Sequence, residues 1–90
     1  MPRKPAPPPA PESPLVFLTS AAELGKAIRA ARLQMGLTER AAAERLGVSR
    51  NFLQQLEHGK PGVRLDKALQ VMYGVGLAGV ILPLAALQNV

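Results

Sequence analysis

The sequence predicts a mainly α-helical domain built from four main helices between about residues 21 and 73. Apolar residues recur every three or four positions along this stretch, which is the spacing of one face of a helix. Ser20, Thr38 and Ser49 each precede a helical segment, where a side-chain oxygen can cap exposed backbone N–H groups. With 90 residues and 48% apolar content, the chain fits one small domain with a limited core.

The first and last of these helices are expected to support a shorter pair between them. The first begins after Ser20, has Glu23 at its third position and ends at Gly36. Its core-facing residues are predicted to be Leu24, Ile28, Ala31 and Met35. Those of the last helix, within residues 63–73, are predicted to be Leu65, Ala68, Leu69 and Met72.

The segment between the outer helices reads GLTERAAAERLGVSRNFLQQLEHGK from Gly36 to Lys60, two short helical stretches joined by a Gly-Val-Ser link. Gly47 can end the first stretch in the left-handed conformation that glycine adopts at low cost, and Ser49 caps the second. Polar and basic side chains follow directly after Ser49. This is the layout of a helix-turn-helix, whose second helix enters the major groove of DNA.

The charge of the chain indicates a polyanionic partner. The net charge is +5, and residues 20–67 carry nine Lys and Arg against five acidic residues. Residues 68–90 carry no charge. The chain has no cysteine, which excludes disulfides and thiolate-metal sites and is compatible with a reducing cytoplasm.

Composition divides the chain into three segments. Residues 1–14 hold most of the nine prolines and are interpreted as a disordered arm, because such stretches populate extended conformations without a core. Residues 15–74 are predicted to form the helix-turn-helix domain. Residues 75–90 are predicted to form a C-terminal strand and tail used for dimerisation.

Three stretches closely resemble the Xre/Cro family of phage-repressor-like DNA-binding proteins: LGKAIRAAR from Leu24, GLT from Gly36 and LGVSRNFLQQLEHGK from Leu46. Followed by KPGVRLDK from Lys60 and a Gly-rich apolar segment, the chain is most similar to HipB-type antitoxins of kinase toxin-antitoxin pairs. The resemblance implies a lambda-repressor-like fold with a C-terminal β-strand that pairs across a homodimer. It also implies a palindromic operator, a kinase toxin as partner, and a bacterial cytoplasmic, nucleoid-associated protein.

The resemblance assigns roles to individual residues of the motif. Ser49 starts the recognition helix; Arg50, Asn51 and Gln55 face base edges, with Phe52 and Gln54 beside them. The residues expected near the phosphate backbone are Thr38, Arg40, His58 and Lys60. Arg32 and Glu57 occupy the positions of a buried family ion pair. Phe52 has two interpretations, contact with a thymine methyl group or packing against the first helix.

One residue departs from the family pattern. The family commonly has Gln as the first residue of the motif's first helix, and this chain has Glu39. A carboxylate at that position would repel a phosphate. An interaction module that has lost DNA binding is therefore an alternative hypothesis, as is a phage or mobile-element repressor without a toxin.

The uncharged C-terminal segment supports two further interpretations. Seventeen residues from Val71 to Leu87 approach the length of a membrane span, so a tail-anchored protein is one alternative. The favoured interpretation is an exposed strand over residues 77–82 that must pair with another strand, for which a second copy of the chain is the nearest candidate. The residues expected in this dimer interface are Leu77, Val80, Ile81 and Leu82. Residues 16–18 are a candidate edge strand.

No residue pattern indicates an enzyme. Gly74 to Gly79 satisfies the letters of the GxGxxG fingerprint, but it follows a helix and is not followed by an acidic residue, unlike a dinucleotide site. These glycines are interpreted as a helix stop and a bend. The sequence predicts no catalytic residues, no metal ligands and no cofactor.

Overall fold

The computed structural model describes residues 15–87, and the predicted arm of residues 1–14 lies outside them. Five helices occupy the described part of the chain: α1 (Ala21–Gln34), α2 (Glu39–Leu46), α3 (Arg50–Glu57), α4 (Leu65–Gly74) and α5 (Leu84–Leu87). The mainly α-helical class and the four main helices are confirmed. The single turn α5 was not predicted.

The three predicted helix starts are confirmed by capping hydrogen bonds. The hydroxyl oxygen of Ser20 accepts from the N–H of Glu23 at 3.3 Å, that of Thr38 from the N–H of Ala41 at 3.1 Å, and that of Ser49 from the N–H of Phe52 at 3.0 Å. Each helix therefore begins where a short side chain satisfies a backbone donor that the helix leaves free.

The four main helices end in the same way, on glycines with positive φ. These are Gly36, Gly47, Gly59 and Gly76. After α4, the N–H of Leu77 donates to the carbonyl oxygen of Met72 at 3.0 Å, which is the six-to-one bond of a Schellman motif. The predicted helix stop in the GxGxxG segment is thus confirmed at Gly76.

The core is formed by residues from all four main helices. Ile28, Leu53 and Val71 are its largest fully buried side chains, one each from α1, α3 and α4, and α2 adds Ala42 and Ala43. Burial of this apolar surface is the main contribution to the stability of the domain. The two short helices α2 and α3 are not stable in isolation and depend on this packing.

Close contact between α1 and α3 depends on Gly25. A Cβ atom at this position would lie 2.5 Å from the carbonyl oxygen of Leu56 and 2.6 Å from that of Glu57. Only a residue without a side chain lets α1 cross the C-terminal end of α3 at this distance. The crossing fixes the orientation of α3 relative to the rest of the domain.

One core position predicted for the first helix and two predicted for α4 differ from the observed ones. Met35 is exposed because the buried stripe of α1 ends at Ala31 and Arg32, and Met35 already belongs to the turn after the helix. On α4, Leu65 and Leu69 are exposed, because a different row of residues on this helix faces the core. The buried residues of this region are Ala68, Val71, Met72 and Val75.

The predicted C-terminal strand is absent from this single chain. Residues 15–87 contain no β-strand, either at 77–82 or at the candidate edge strand 16–18. An isolated strand is not stable without a partner, and no other segment of the described chain pairs with it. Val75 is buried and Leu77 packs against the core, so the helical domain extends past the predicted boundary at residue 74.

Candidate nucleic-acid interface

The helix α3 has one face inside the protein and one outside. Leu53 and Leu56 are buried against the core, while Arg50 and Asn51 are exposed. Gln55 is half-exposed on the same helix. The Ser49 cap and the short turn from Gly47 hold the first turn of α3 in place, so that its exposed side chains form a defined surface.

The helix α2 is held at both ends. Its start is capped by Thr38, and at its end Gln70 of α4 donates from Nε2 to the carbonyl oxygen of Leu46 at 2.7 Å. Arg40, in the first turn of α2, is exposed. The polar start of α2 and the start of α3 are thus both fixed by hydrogen bonds rather than by loop contacts.

A buried ion pair connects α1 to the end of α3. Arg32 Nε lies 2.7 Å from Glu57 Oε2 and its Nη2 lies 2.9 Å from Oε1, with the two side chains only 8% and 3% exposed. The remaining donor Nη1 reaches the carbonyl oxygen of Leu37 at 2.8 Å, just before α2. The hydrogen bonds that Arg32 donates to the Glu57 carboxylate raise the pKa of Arg32 above its ordinary value. This network connects α1 and the segment just before α2 to the end of α3. It thereby fixes the orientation of α3.

His58 follows α3 directly and has a defined hydrogen bond. Its Nδ1 lies 2.6 Å from the carbonyl oxygen of Gln54, and since a carbonyl only accepts, Nδ1 carries the hydrogen. Lys60, two residues further, is exposed.

Glu39 faces a pocket of about 320 Å³ at the junction of α1, α2 and α3. The pocket is lined by Arg29, Arg32, Glu39, Glu57 and His58. Glu39 is half-buried, and its charge adds to the rise of the Arg32 pKa. The carboxylate therefore interacts with the buried ion pair as well as with the surface at the start of α2.

Phe52 is half-buried against the core, and Lys67 of α4 lies over its ring, with Nζ 5.9 Å from the centroid. Sequence reasoning missed Lys67, because the contact joins residues fifteen positions apart and no local pattern marks it. Arg64 is also close by in the chain, but its guanidinium binds Asp66 at 2.6 and 3.1 Å. That hydrogen bonding lowers the pKa of Asp66 below its usual value.

Two capped helices joined by a glycine turn, the second with a polar outer face, define the class of the protein as a DNA-binding helix-turn-helix protein. A family model described as helix-turn-helix matches residues 28–72, which is half of the chain, and the chain belongs to this family of DNA-binding regulatory domains. No curated protein matches the chain. Within residues 15–87, no helix has the length and apolar character needed to cross a membrane.

Proposed function

We propose that this protein is a homodimeric transcriptional repressor that reads a palindromic operator through α3. The observation that carries the proposal is the two-sided character of that helix, with Leu53 and Leu56 inside and Arg50 and Asn51 outside. The same helix is anchored to α1 through Glu57, so its outer face cannot rotate freely. A rigid polar helix face of this kind suits the major groove.

The outer face has the chemistry needed to distinguish bases. Arg50 can form a bidentate pair with guanine, and it belongs to no ion pair among residues 15–87. Asn51 and Gln55 match the donor and acceptor of adenine, with Gln54 beside them. Each good pair contributes about 1 to 3 kcal/mol of discrimination.

The ends of the two helices supply the residues proposed to contact phosphates. Thr38 and Arg40 stand at the start of α2, Ser49 stands at the start of α3, and His58 and Lys60 follow its end. The Thr38 and Ser49 hydroxyl oxygens accept capping bonds, which leaves each hydroxyl hydrogen available for a phosphate oxygen. Such contacts position the protein on the duplex without reading sequence.

Replacing Arg50, Asn51 or Gln55 by alanine is expected to weaken binding to the operator far more than binding to random DNA. Lys60→Ala should weaken both alike and lower the magnitude of the log–log salt slope by about 1, because one phosphate contact is lost. The measurement is a titration of the protein against a duplex selected by it from a random pool, and against a random duplex, at several salt concentrations.

Arg45→Ala is the control for loss of one positive charge, since Arg45 is exposed in the last turn of α2 and is not proposed to contact DNA. Equal losses on both duplexes for all three α3 variants would contradict their assignment as base readers. In that case α3 would be only a solvated helix face.

Glu39→Gln is expected to tighten DNA binding at low salt, because it removes a negative charge from the start of α2 without changing the shape of the side chain. Glu44→Gln is the matched control, an exposed residue on the same helix with the same change of charge. An equal gain for both variants would mean that net charge alone is responsible, and no gain for Glu39→Gln would remove this carboxylate from the DNA-facing surface.

We further propose that the repressor is a HipB-like antitoxin that autoregulates its operon and binds a HipA-like kinase toxin. The resemblance through residues 60–67 and the uncharged segment after them supports this assignment. The test is co-expression with a kinase-like reading frame next to its gene, followed by co-purification. A neighbouring recombinase or lysis cassette would instead favour a phage repressor, and absence of salt-dependent retention on DNA would favour an interaction module.

A further inference from the structure

Lys67 lies beside the recognition helix although it belongs to α4. Its ammonium group is 5.9 Å from the centroid of the Phe52 ring, and Phe52 is the third residue of α3. The ring packs against the core on its buried side, so it is a fixed support for the cation. Lys67 is therefore held next to the same helical turn that carries Arg50 and Asn51.

The positive charge of Lys67 is not compensated by a carboxylate in residues 15–87. The ion pairs in this part of the chain are Lys26–Glu23, Arg32–Glu57 and Arg64–Asp66. Asp66, its neighbour in sequence, already accepts two hydrogen bonds from Arg64. A lysine in the first turn of a helix also opposes the helix dipole, so the stability of α4 does not explain its presence.

The width of the DNA major groove indicates which part of the DNA the Lys67 ammonium group would contact. A helix with its side chains is about 10 to 12 Å across, and the major groove is about 12 Å wide. A helix therefore fills the groove, and a group held at its side reaches the bordering backbone rather than the base edges. Phosphate is the ligand that matches an uncompensated ammonium group at that place.

We propose that Lys67 is a further DNA-backbone contact supplied by α4, and that Phe52 acts as a positioning residue for it. This inference rests on the proposed DNA binding by α3. It assigns Phe52 a role different from contact with a thymine methyl group, because the face of its ring is covered by the lysine.

The test compares Lys67→Met, Lys67→Arg and wild type on a selected operator and on a random-sequence duplex across a salt series. Lys67→Met keeps most of the apolar stem and loses the charge, so we expect equal fold-losses on both duplexes and a salt slope smaller by about 1. Lys67→Arg should restore the wild-type slope. Lys26→Met, which removes a charge 4.0 Å from Glu23 on α1, should leave the slope unchanged.

Phe52→Leu tests the positioning role. In the wild-type background it should lower the salt slope part of the way toward that of Lys67→Met, and in the Lys67→Met background it should have no further effect on the slope. A purely structural Phe52 would give the same loss in both backgrounds, which would overturn its positioning role.

Two outcomes distinguish a failure of the Lys67 contact from a failure of the proposed DNA binding by α3. If wild type binds DNA and Lys67→Met has an unchanged salt slope with an unchanged melting temperature, the Lys67 contact is wrong and DNA binding by α3 stands. If wild type binds neither duplex, the proposed function fails and the inference fails with it.

Discussion

Removing residues 80–90 is expected to leave a folded monomer that has lost most of its affinity for a palindromic operator. The cut keeps Val75 and Leu77, which pack against the core, and Gly79, which lies close to Met72. It removes side chains that the single chain leaves in water, above all Ile81, which is 98% exposed, and Val80, which is 76% exposed. Such residues need a partner surface, and we propose a second copy of the chain.

The energetic reason is the size of the apolar surface. At about 25 cal/mol per Å², a few hundred Å² buried per chain would contribute several kcal/mol toward association. Two recognition helices must then lie about 34 Å apart to enter successive major grooves on one face of the duplex. A monomer would reach only one half-site.

Sedimentation equilibrium and operator titration measure the two consequences separately. A full-length variant with Val80, Ile81 and Leu82 replaced by serine should behave like the truncated chain, whereas Leu33→Ser, at an exposed apolar position on α1, should remain a dimer. A truncated protein that still dimerises and binds the full palindrome normally would exclude the tail from the interface. Leu77, which is partly buried against its own core, is left unchanged in this variant so that the helical domain stays intact.

The starts and ends of the helices could be predicted because their causes are local. A cap at Ser20, Thr38 or Ser49 bonds a backbone N–H three residues away, and a glycine such as Gly47 sets the turn by its own φ. Both signals are contained within a few consecutive residues. The sequence therefore predicts where α1, α2 and α3 begin and where the main helices end with little help from tertiary structure, whereas α4 begins after Arg64 without a side-chain cap.

The inward face of α4 could not be predicted in the same way, because that helix carries two apolar rows. One row contains Leu65, Leu69 and Tyr73, and the other contains Ala68, Val71, Met72 and Val75. Helical spacing favours neither. The choice follows from packing against the rest of the domain, where small residues of α2 such as Ala42 and Ala43 complete the core.

In the candidate site, the residues of the motif could be identified from the sequence. The residues that surround them could not, because the tertiary fold brings them together. The exposed polar start of α3 could be predicted from the capped turn. The proximity of Glu39 to Arg32, and of Lys67 to Phe52, depends on how α1 and α4 cross the motif. Local sequence patterns contain no information about how helices cross, so these contacts could be identified only from the structure.

Arg32→Ala is expected to lower the free energy of unfolding by about 3 to 5 kcal/mol, because it leaves the carboxylate of Glu57 buried without its partner. It also removes the donor to the Leu37 carbonyl oxygen, 2.8 Å away. A loss of this size is a large part of the roughly 5 to 15 kcal/mol that stabilises a typical domain. Urea denaturation followed by circular dichroism measures it directly.

Arg29→Ala is the matched control, since Arg29 lies on the same helix and lines the same pocket but is exposed, and we expect its unfolding free energy to stay near wild type. Arg32→Leu combined with Glu57→Leu should be less destabilising than Arg32→Ala alone, because no charge is left buried. DNA binding by Arg32→Ala should be measured well below its melting temperature, where α3 is still formed. An Arg32→Ala protein that unfolds like wild type yet binds no DNA would make Arg32 a phosphate contact rather than the structural link between α1 and α3.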